Sequence, residues 1–267
     1  MSASITASML YNLIQCPHRL SLDLHEDPSK KDAESKFVEL LWEKGTLYEA
    51  EVISKLETPF AEFSGLSGTE RERQTRQAME EKVPLIHGGR IRADDLLGEP
   101  DILRWDHVMG YVAGDIKSGS GEEMDPEDDE GKPKKHYAVQ LALYTDILER
   151  LGLSRERHPF IWDVHGEEVT YTLDAPQGVR TPQTLWELYG DTLDKAREIA
   201  SRPDVTLPAL GATCKLCHWR SLCKAHIKQM NDLTLIAELG RSKRDLIAPF
   251  IPTVEELATC DLPRFCQ

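Results

Sequence analysis

The stretch GEPDILRWDHVMGYVAGDIKSGS, residues 98–120, limits what this chain can fold into more than any other. Two short apolar runs, DILRWD and GYVAGDIKS, are bounded by Gly, Pro and Asp, the punctuation of neighbouring strands. Side chains alternate across a strand, so Asp115 and Lys117 point to one face. Burying such a pair is costly unless something charged lies between them. The competing expectation is two edge strands with solvated ends.

The surrounding pattern places this pair inside a mixed α/β layout. ITASMLYNLIQCP begins with hydroxyl residues suited to capping and is interrupted at Pro17. SKFVELLWEKGTLYEAEVISKL sets Phe37, Leu40, Leu41, Leu47 and Val52 near helical spacing, with Gly45 weakening its middle. TERERQTRQAMEEK reads as a helix exposed on most sides. LIHGGRIR then joins the two central runs as strand. KHYAVQLALYTDILERLG is an amphipathic helix, and PFIWDVHGEEVTYTL a hairpin turning near His165-Gly166. TPQTLWELYGDTLDKAREIASRP is a further helix between Pro182 and Pro203. Helices, strands, helix, hairpin and helix in that order imply a mixed central sheet flanked by helices.

Charge enters where a partner is asked for. The formal charge is −14, but seven acids crowd into GEEMDPEDDE, read here as a mobile, solvated loop. Between Cys214 and Arg244, Lys215, Arg220, Lys224, Lys228, Arg241, Lys243 and Arg244 face only Asp232 and Glu238. A locally basic region of this kind can bind phosphate although the chain is acidic. No apolar run nears the ~20 residues of a membrane span, and the start lacks a secretory signal. An intracellular, cytoplasmic protein with reduced cysteines is expected.

Carboxylates on a rigid sheet edge hold Mg²⁺ or Mn²⁺, and such ions support phosphodiester hydrolysis. Asp101 and Asp115 are the candidate ligands, with the backbone carbonyl of Ile116 as a further hard oxygen. Lys117 would orient the water or stabilise developing charge. Gln140 and Tyr144, at i and i+4, share one helix face and could reach a phosphate backbone. The cysteines Cys214, Cys217 and Cys223 are spaced C-x₂-C-x₅-C. With His226 they would make a Cys₃His zinc site; with Cys16 as fourth thiolate they would hold an iron–sulfur cluster. Cys260 and Cys266 read as ordinary cysteines. His18, His87, His107 and His218 read as surface or satisfied core residues. Trp42, Trp105, Trp162 and Trp186 read as core, and Trp219 equally as core or as packing over a metal centre.

At Asp101, Asp115, Lys117, Gln140 and Tyr144 the chain resembles the PD-(D/E)xK nuclease superfamily, and more closely its RecB-like branch. The resemblance implies a restriction-endonuclease-like core, metal at Asp101 and Asp115, catalysis by Lys117, and DNA positioning by Gln140 and Tyr144. The branch usually has a metal-ligating His before a Glu in an N-terminal helix; EKGTLYEAEV offers Tyr48, a poor Mg²⁺ ligand, followed by Glu49 as substitute. The cysteine layout is similar to the iron–sulfur RecB-like nucleases, among them the CRISPR-associated Cas-four family and the AddB nuclease domain. It implies a [4Fe-4S] cluster on Cys16, Cys214, Cys217 and Cys223, stapling the N- and C-terminal helices.

The expected organisation is a nuclease domain over residues 1–230 and a small helical segment over 231–267. The latter resembles a helix-hairpin-helix unit in which Ser242 replaces the second glycine; the alternative is a plain helical cap. Its ending, LPRFCQ, resembles the middle of longer relatives, so a fragment or truncated member is expected. The implied function is metal-dependent DNA hydrolysis with exonuclease action on single-stranded or end-containing DNA, in repair, CRISPR adaptation or mobile-element processing. DNA would be gripped through its backbone with little sequence readout, with other repair or CRISPR-adaptation proteins as further partners. The alternative is a non-cleaving DNA-binding or assembly subunit with the same fold.

Overall fold

The computed structural model describes residues 4–125, 128–177 and 182–260. The chain divides into two units, residues 1–15 with 40–201, and residues 16–39 with 202–267. The expected boundary at residue 230 thus falls inside the second unit, which also recruits the segment beginning at Cys16.

A short strand β1 (Ile5–Thr6) leads into helix α1 (Ala7–Gln15). Cys16 is extended, and Pro17 opens a second helix, α2 (Pro17–His25), at the position where a missing N–H is harmless. Helix α3 (Lys36–Ser54) is followed by β2 (Ala61–Glu62) and α4 (Gly68–Glu80). LIHGGRIR is not one strand but two, β3 (Leu85–His87) and β4 (Ile91–Ala93), which lie in different sheets. Gly88 causes the break: its φ is +65°, and a Cβ there would sit 2.7 Å from the Ser64 backbone nitrogen.

After β5 (Leu96–Gly98) come the two central runs, β6 (Ile102–Asp106) and β7 (Gly110–Ile116). They pair antiparallel, as their sequence suggests, from Ile102 opposite Gly114 to Asp106 opposite Gly110. β8 (Glu122–Asp125) and β9 (Asp128–Pro133) pair as a ribbon. The acidic segment is therefore not a simple loop: its described residues carry ladder hydrogen bonds. Helix α5 (Lys135–Arg150), the hairpin β10 (Phe160–Trp162) and β11 (Glu168–Thr170), and helix α6 (Leu185–Ser201) complete the first unit. Gly166 turns that hairpin with φ +76°, where the sequence placed the turn.

The main sheet has six strands in the order β11-β10-β7-β6-β3-β2. It is mixed, since β7 pairs parallel with β10 and antiparallel with β6. Every residue of β7 is buried, because both faces are covered. On one side Leu85, Ile102, Val112, Ile116 and Phe160 pack with Tyr48, Val52 and Ile53 at the end of α3 and with Leu56 just beyond it. α5 packs against β7 and against α1 and α6, burying Val139, Leu141, Leu143, Tyr144 and Ile147. Each such side chain contributes about 1.5–3 kcal/mol of burial. This α/β core with a mixed sheet is consistent with a restriction-endonuclease-like architecture.

Helix α3 departs from expectation. Phe37, Leu40, Leu41 and Leu47 are exposed, and of the apolar positions read as core only Val52 packs inward. Trp42 is exposed as well, whereas Trp105, Trp162 and Trp186 are half-buried. The face that packs on the sheet is the one carrying Tyr48, Val52 and Ile53, not the strongest apolar stripe.

The second unit joins α2 to α7 (Arg220–Gln229), α8 (Arg241–Ile247) and α9 (Val254–Thr259). Asp23 organises it, accepting from Trp219 Nε1 at 2.9 Å and His218 Nε2 at 2.7 Å. Trp219 is wholly buried there. Arg244 is buried too, donating to Asp232 at 2.6 Å and the Pro208 carbonyl at 3.1 Å. It is therefore unable to meet a phosphate, which removes it from the basic region read in the sequence. Cys266 lies outside the described residues.

Candidate active site

Asp101 precedes β6 and Asp115 lies near the end of β7, so the strand pairing brings them together. The Asp101 backbone N–H points at Asp115 Oδ1 at 3.4 Å, and the Ile116 N–H donates to Asp101 Oδ2 at 2.8 Å. Asp115 is buried, and the partner of its Oδ2 is a cation. Lys117 Nζ stands 2.9 Å from that oxygen as an ion pair, and also over the Tyr137 ring. The sequence argument that Asp115 and Lys117 share a face is met in this contact.

Electrostatics follow from the crowding. Asp101 keeps some surface, yet burial, followed by repulsion from Asp115, pushes its carboxyl up to about 7. Glu49 adds further repulsion, while Lys117 and the Ile116 N–H act in the opposite sense. Burial would depress the Lys117 ammonium, but the Asp115 and Asp101 carboxylates overcome it and raise it above its ordinary value. Two carboxylates with one cation between them have surplus negative charge, the setting a hard divalent cation fits.

Gln140 and Tyr144 sit on α5 beside this pair, but not as free phosphate contacts. Gln140 Nε2 donates to the Tyr144 hydroxyl at 3.0 Å, and that hydroxyl donates to the Glu99 carbonyl at 3.3 Å. Tyr144 is buried, its ring packed where a Cβ on Gly98 would approach to 2.7 Å. The Tyr144 hydroxyl is thus engaged by Gln140 and by the Glu99 carbonyl, two residues before Asp101. Gln140 retains partial exposure.

On α3, Tyr48 and Glu49 diverge. The Tyr48 hydroxyl donates to the Asp163 carbonyl, away from the aspartates. It lines an open groove of about 450 Å³ with Val52, Leu56 and Trp162. Glu49 turns the other way and accepts from His87 Nε2 at 3.0 Å. His87 also donates from Nδ1 to Glu62 at 2.5 Å. Burial draws this imidazole down, but Glu49 and Glu62 outweigh it and raise its pKa. His87 meets the expectation of a surface or satisfied core histidine: it is buried, with both ring nitrogens partnered.

In the second unit, Cys16, Cys214, Cys217 and Cys223 are partly exposed free thiols. Burial, then Cys217, Cys16 and Cys214, push Cys223 up to about 12. Arg241 Nη2 donates to Cys16 Sγ at 3.4 Å, and the Trp219 N–H to Cys217 Sγ at 3.5 Å. His226 is exposed on α7. Among the described residues, no group of three or more His, Cys, Asp or Glu side chains is arranged to hold a metal ion.

Two carboxylates and a lysine thus meet where β6 begins and β7 ends, at the centre of a mixed sheet. The match to the family model of the PD-(D/E)XK nuclease superfamily runs over residues 8–224, and the chain belongs to that superfamily. Comparison with curated proteins gives no significant match. Among the described residues no helix is long and apolar enough to cross a membrane.

The raised Asp101 carboxyl carries a pH signature. In the unfolded chain it would titrate near ~3.9, against about 7 when folded. Its stabilising contribution is thus complete below pH ~4 and lost as pH rises through about 7. His18, held down by burial at about 4, works in the opposite sense, so the comparison must be differential. In EDTA, the melting temperature of the parent is expected to fall relative to Asp101→Asn between pH 5 and pH 8. Parallel curves for the two proteins would contradict the shift.

Proposed function

We propose that this protein is a metal-dependent deoxyribonuclease of the RecB-like branch, acting on single-stranded or end-containing DNA. The observation that carries the reading is the Asp101–Asp115 pair, with Asp115 buried and Lys117 2.9 Å from its Oδ2. Mg²⁺ commonly takes one or two carboxylates and keeps its waters, so Asp101, Asp115 and the Ile116 carbonyl are a sufficient protein contribution. Glu49 supplies a further oxygen. When bound, the ion supplies Lewis acidity at phosphorus and lowers the pKa of an attacking water. Lys117 then has one carboxylate partner fewer to neutralise and can hold that water or the developing charge. Gln140, on the exposed side of Tyr144, is placed for a phosphate oxygen.

A [4Fe-4S] cluster on Cys16, Cys214, Cys217 and Cys223 belongs to the same reading. Its support is that all four thiols lie in one unit and that three of them act on the fourth. A four-iron cluster spreads its thiolates wider than a single ion does, and the N–H donors at Cys16 and Cys217 suit sulfur that carries negative charge. Zinc on three cysteines and exposed His226 is the weaker fit.

The test uses the purified full chain with end-labelled single- and double-stranded DNA and a circular control, in Mg²⁺, Mn²⁺ or EDTA. Ion-dependent shortening of the linear substrates is expected, with the circle spared. DNA that is bound but uncut with either ion would overturn hydrolysis in favour of a non-cleaving subunit.

A further inference from the structure

We propose that His87 is a positioning residue that aims the Glu49 carboxylate at the Asp101–Asp115 pair, a role that rests on the metal-site reading above. The geometry is a chain of fixed links. His87 closes β3, paired with Ile102 of β6 on one side and Glu62 of β2 on the other. The next residue, Gly88, donates its N–H to the Asp101 carbonyl at 2.8 Å. The backbone thus sets His87 at a constant offset from Asp101. The ring is then oriented by Glu62 at 2.5 Å and by the edge of Phe60, with centroids 6.2 Å apart. With both carboxylates accepting, both ring nitrogens donate, and Nε2 captures Glu49.

Glu49 needs such a guide. It lies on α3, a helix with no fully buried residue, so packing does not select its rotamer. It is nevertheless close enough to Asp101 to raise that carboxyl. Tyr48, the neighbour expected beside the metal, is bonded to Asp163 instead. A histidine from the sheet, rather than from the helix, therefore organises the helix's acidic ligand. Partners that orient a ligand from behind typically change metal affinity by about 10–100-fold when lost.

The experiment measures Mn²⁺ binding directly, by the electron paramagnetic resonance of free Mn²⁺, for the parent and for His87→Ala, Glu49→Gln, their double variant, Glu62→Gln and Asp115→Ala. DNA cleavage is recorded alongside. His87→Ala is expected to weaken Mn²⁺ binding about 10-fold, as Glu49→Gln does, with the double variant no worse than either. Glu62→Gln, at a half-exposed position suited to folding, is expected to lose roughly 3-fold by loosening the ring. Unchanged affinity in both His87→Ala and Glu62→Gln, with Glu49→Gln weakened, would overturn the positioning role. So would full additivity in the double variant. If His87→Ala does not fold, Glu62→Gln decides alone, and parental affinity in it rejects the proposal. Parental affinity in Asp115→Ala would instead reject the metal site itself.

Discussion

Lys117→Ala is expected to lower Mg²⁺-dependent DNA cleavage by about 10²-fold or more while leaving metal affinity close to the parent's. Lys117 is the cation that meets Asp115 Oδ2 at 2.9 Å, so its removal leaves surplus negative charge at the site. A divalent ion can offset that charge; nothing else at the site replaces the ammonium during the chemical step. Asp115→Ala should behave differently, losing Mn²⁺ binding and cleavage together, because it removes a buried oxygen donor. The pair of variants separates charge stabilisation from metal holding. Single-turnover cleavage at saturating Mn²⁺ is the measurement, and a Lys117→Ala protein that cuts as fast as the parent would remove lysine from the chemistry.

Cys16→Ala is the second large effect. Protein purified without oxygen is expected to lose its brown colour and to melt roughly 10 °C or more lower, since a lost metal centre removes several kcal/mol at once. Cys16 stands at the junction where α2 begins, and Arg241 of α8 already donates to its sulfur. Losing the ligand frees the start of α2 from the segment carrying Cys214, Cys217 and Cys223. Full visible absorbance in the variant would exclude Cys16 as a ligand, and a colourless parent containing zinc would favour the set with His226.

The features legible in the sequence are those encoded within a few residues. β6 and β7 are announced by apolar runs between turn residues, and α5 by its period. The shared face of Asp115 and Lys117 follows from strand alternation alone. What escaped depends on distant neighbours. Leu40, Leu41 and Trp42 have the helical spacing of a core face, but the sheet meets α3 at Tyr48, Val52 and Ile53. The burial of Tyr144 needs Gly98 to admit its ring and the Glu99 carbonyl to take its hydroxyl. His87 acquires its role only once Glu49 and Glu62, 38 and 25 residues away, are folded against it. The acidic stretch looked too charged to order, but ribbon pairing needs backbone groups rather than apolar side chains.

The interleaving of the two units sets an order of events during synthesis. Residues 16–39 belong with residues 202–267, so they leave the ribosome long before their partners exist. The first unit, which needs only residues up to 201, can complete its sheet meanwhile. Until then Asp23 has Arg19 and Lys31 beside it but lacks Trp219 and His218, and contacts closed over nearly two hundred intervening residues form last and slowly. A C-terminal fragment beginning at residue 202 would lack both the helix that Trp219 packs toward and one of its four thiols. The second unit can therefore close only after the residues following 201 have been made, long after residues 16–39.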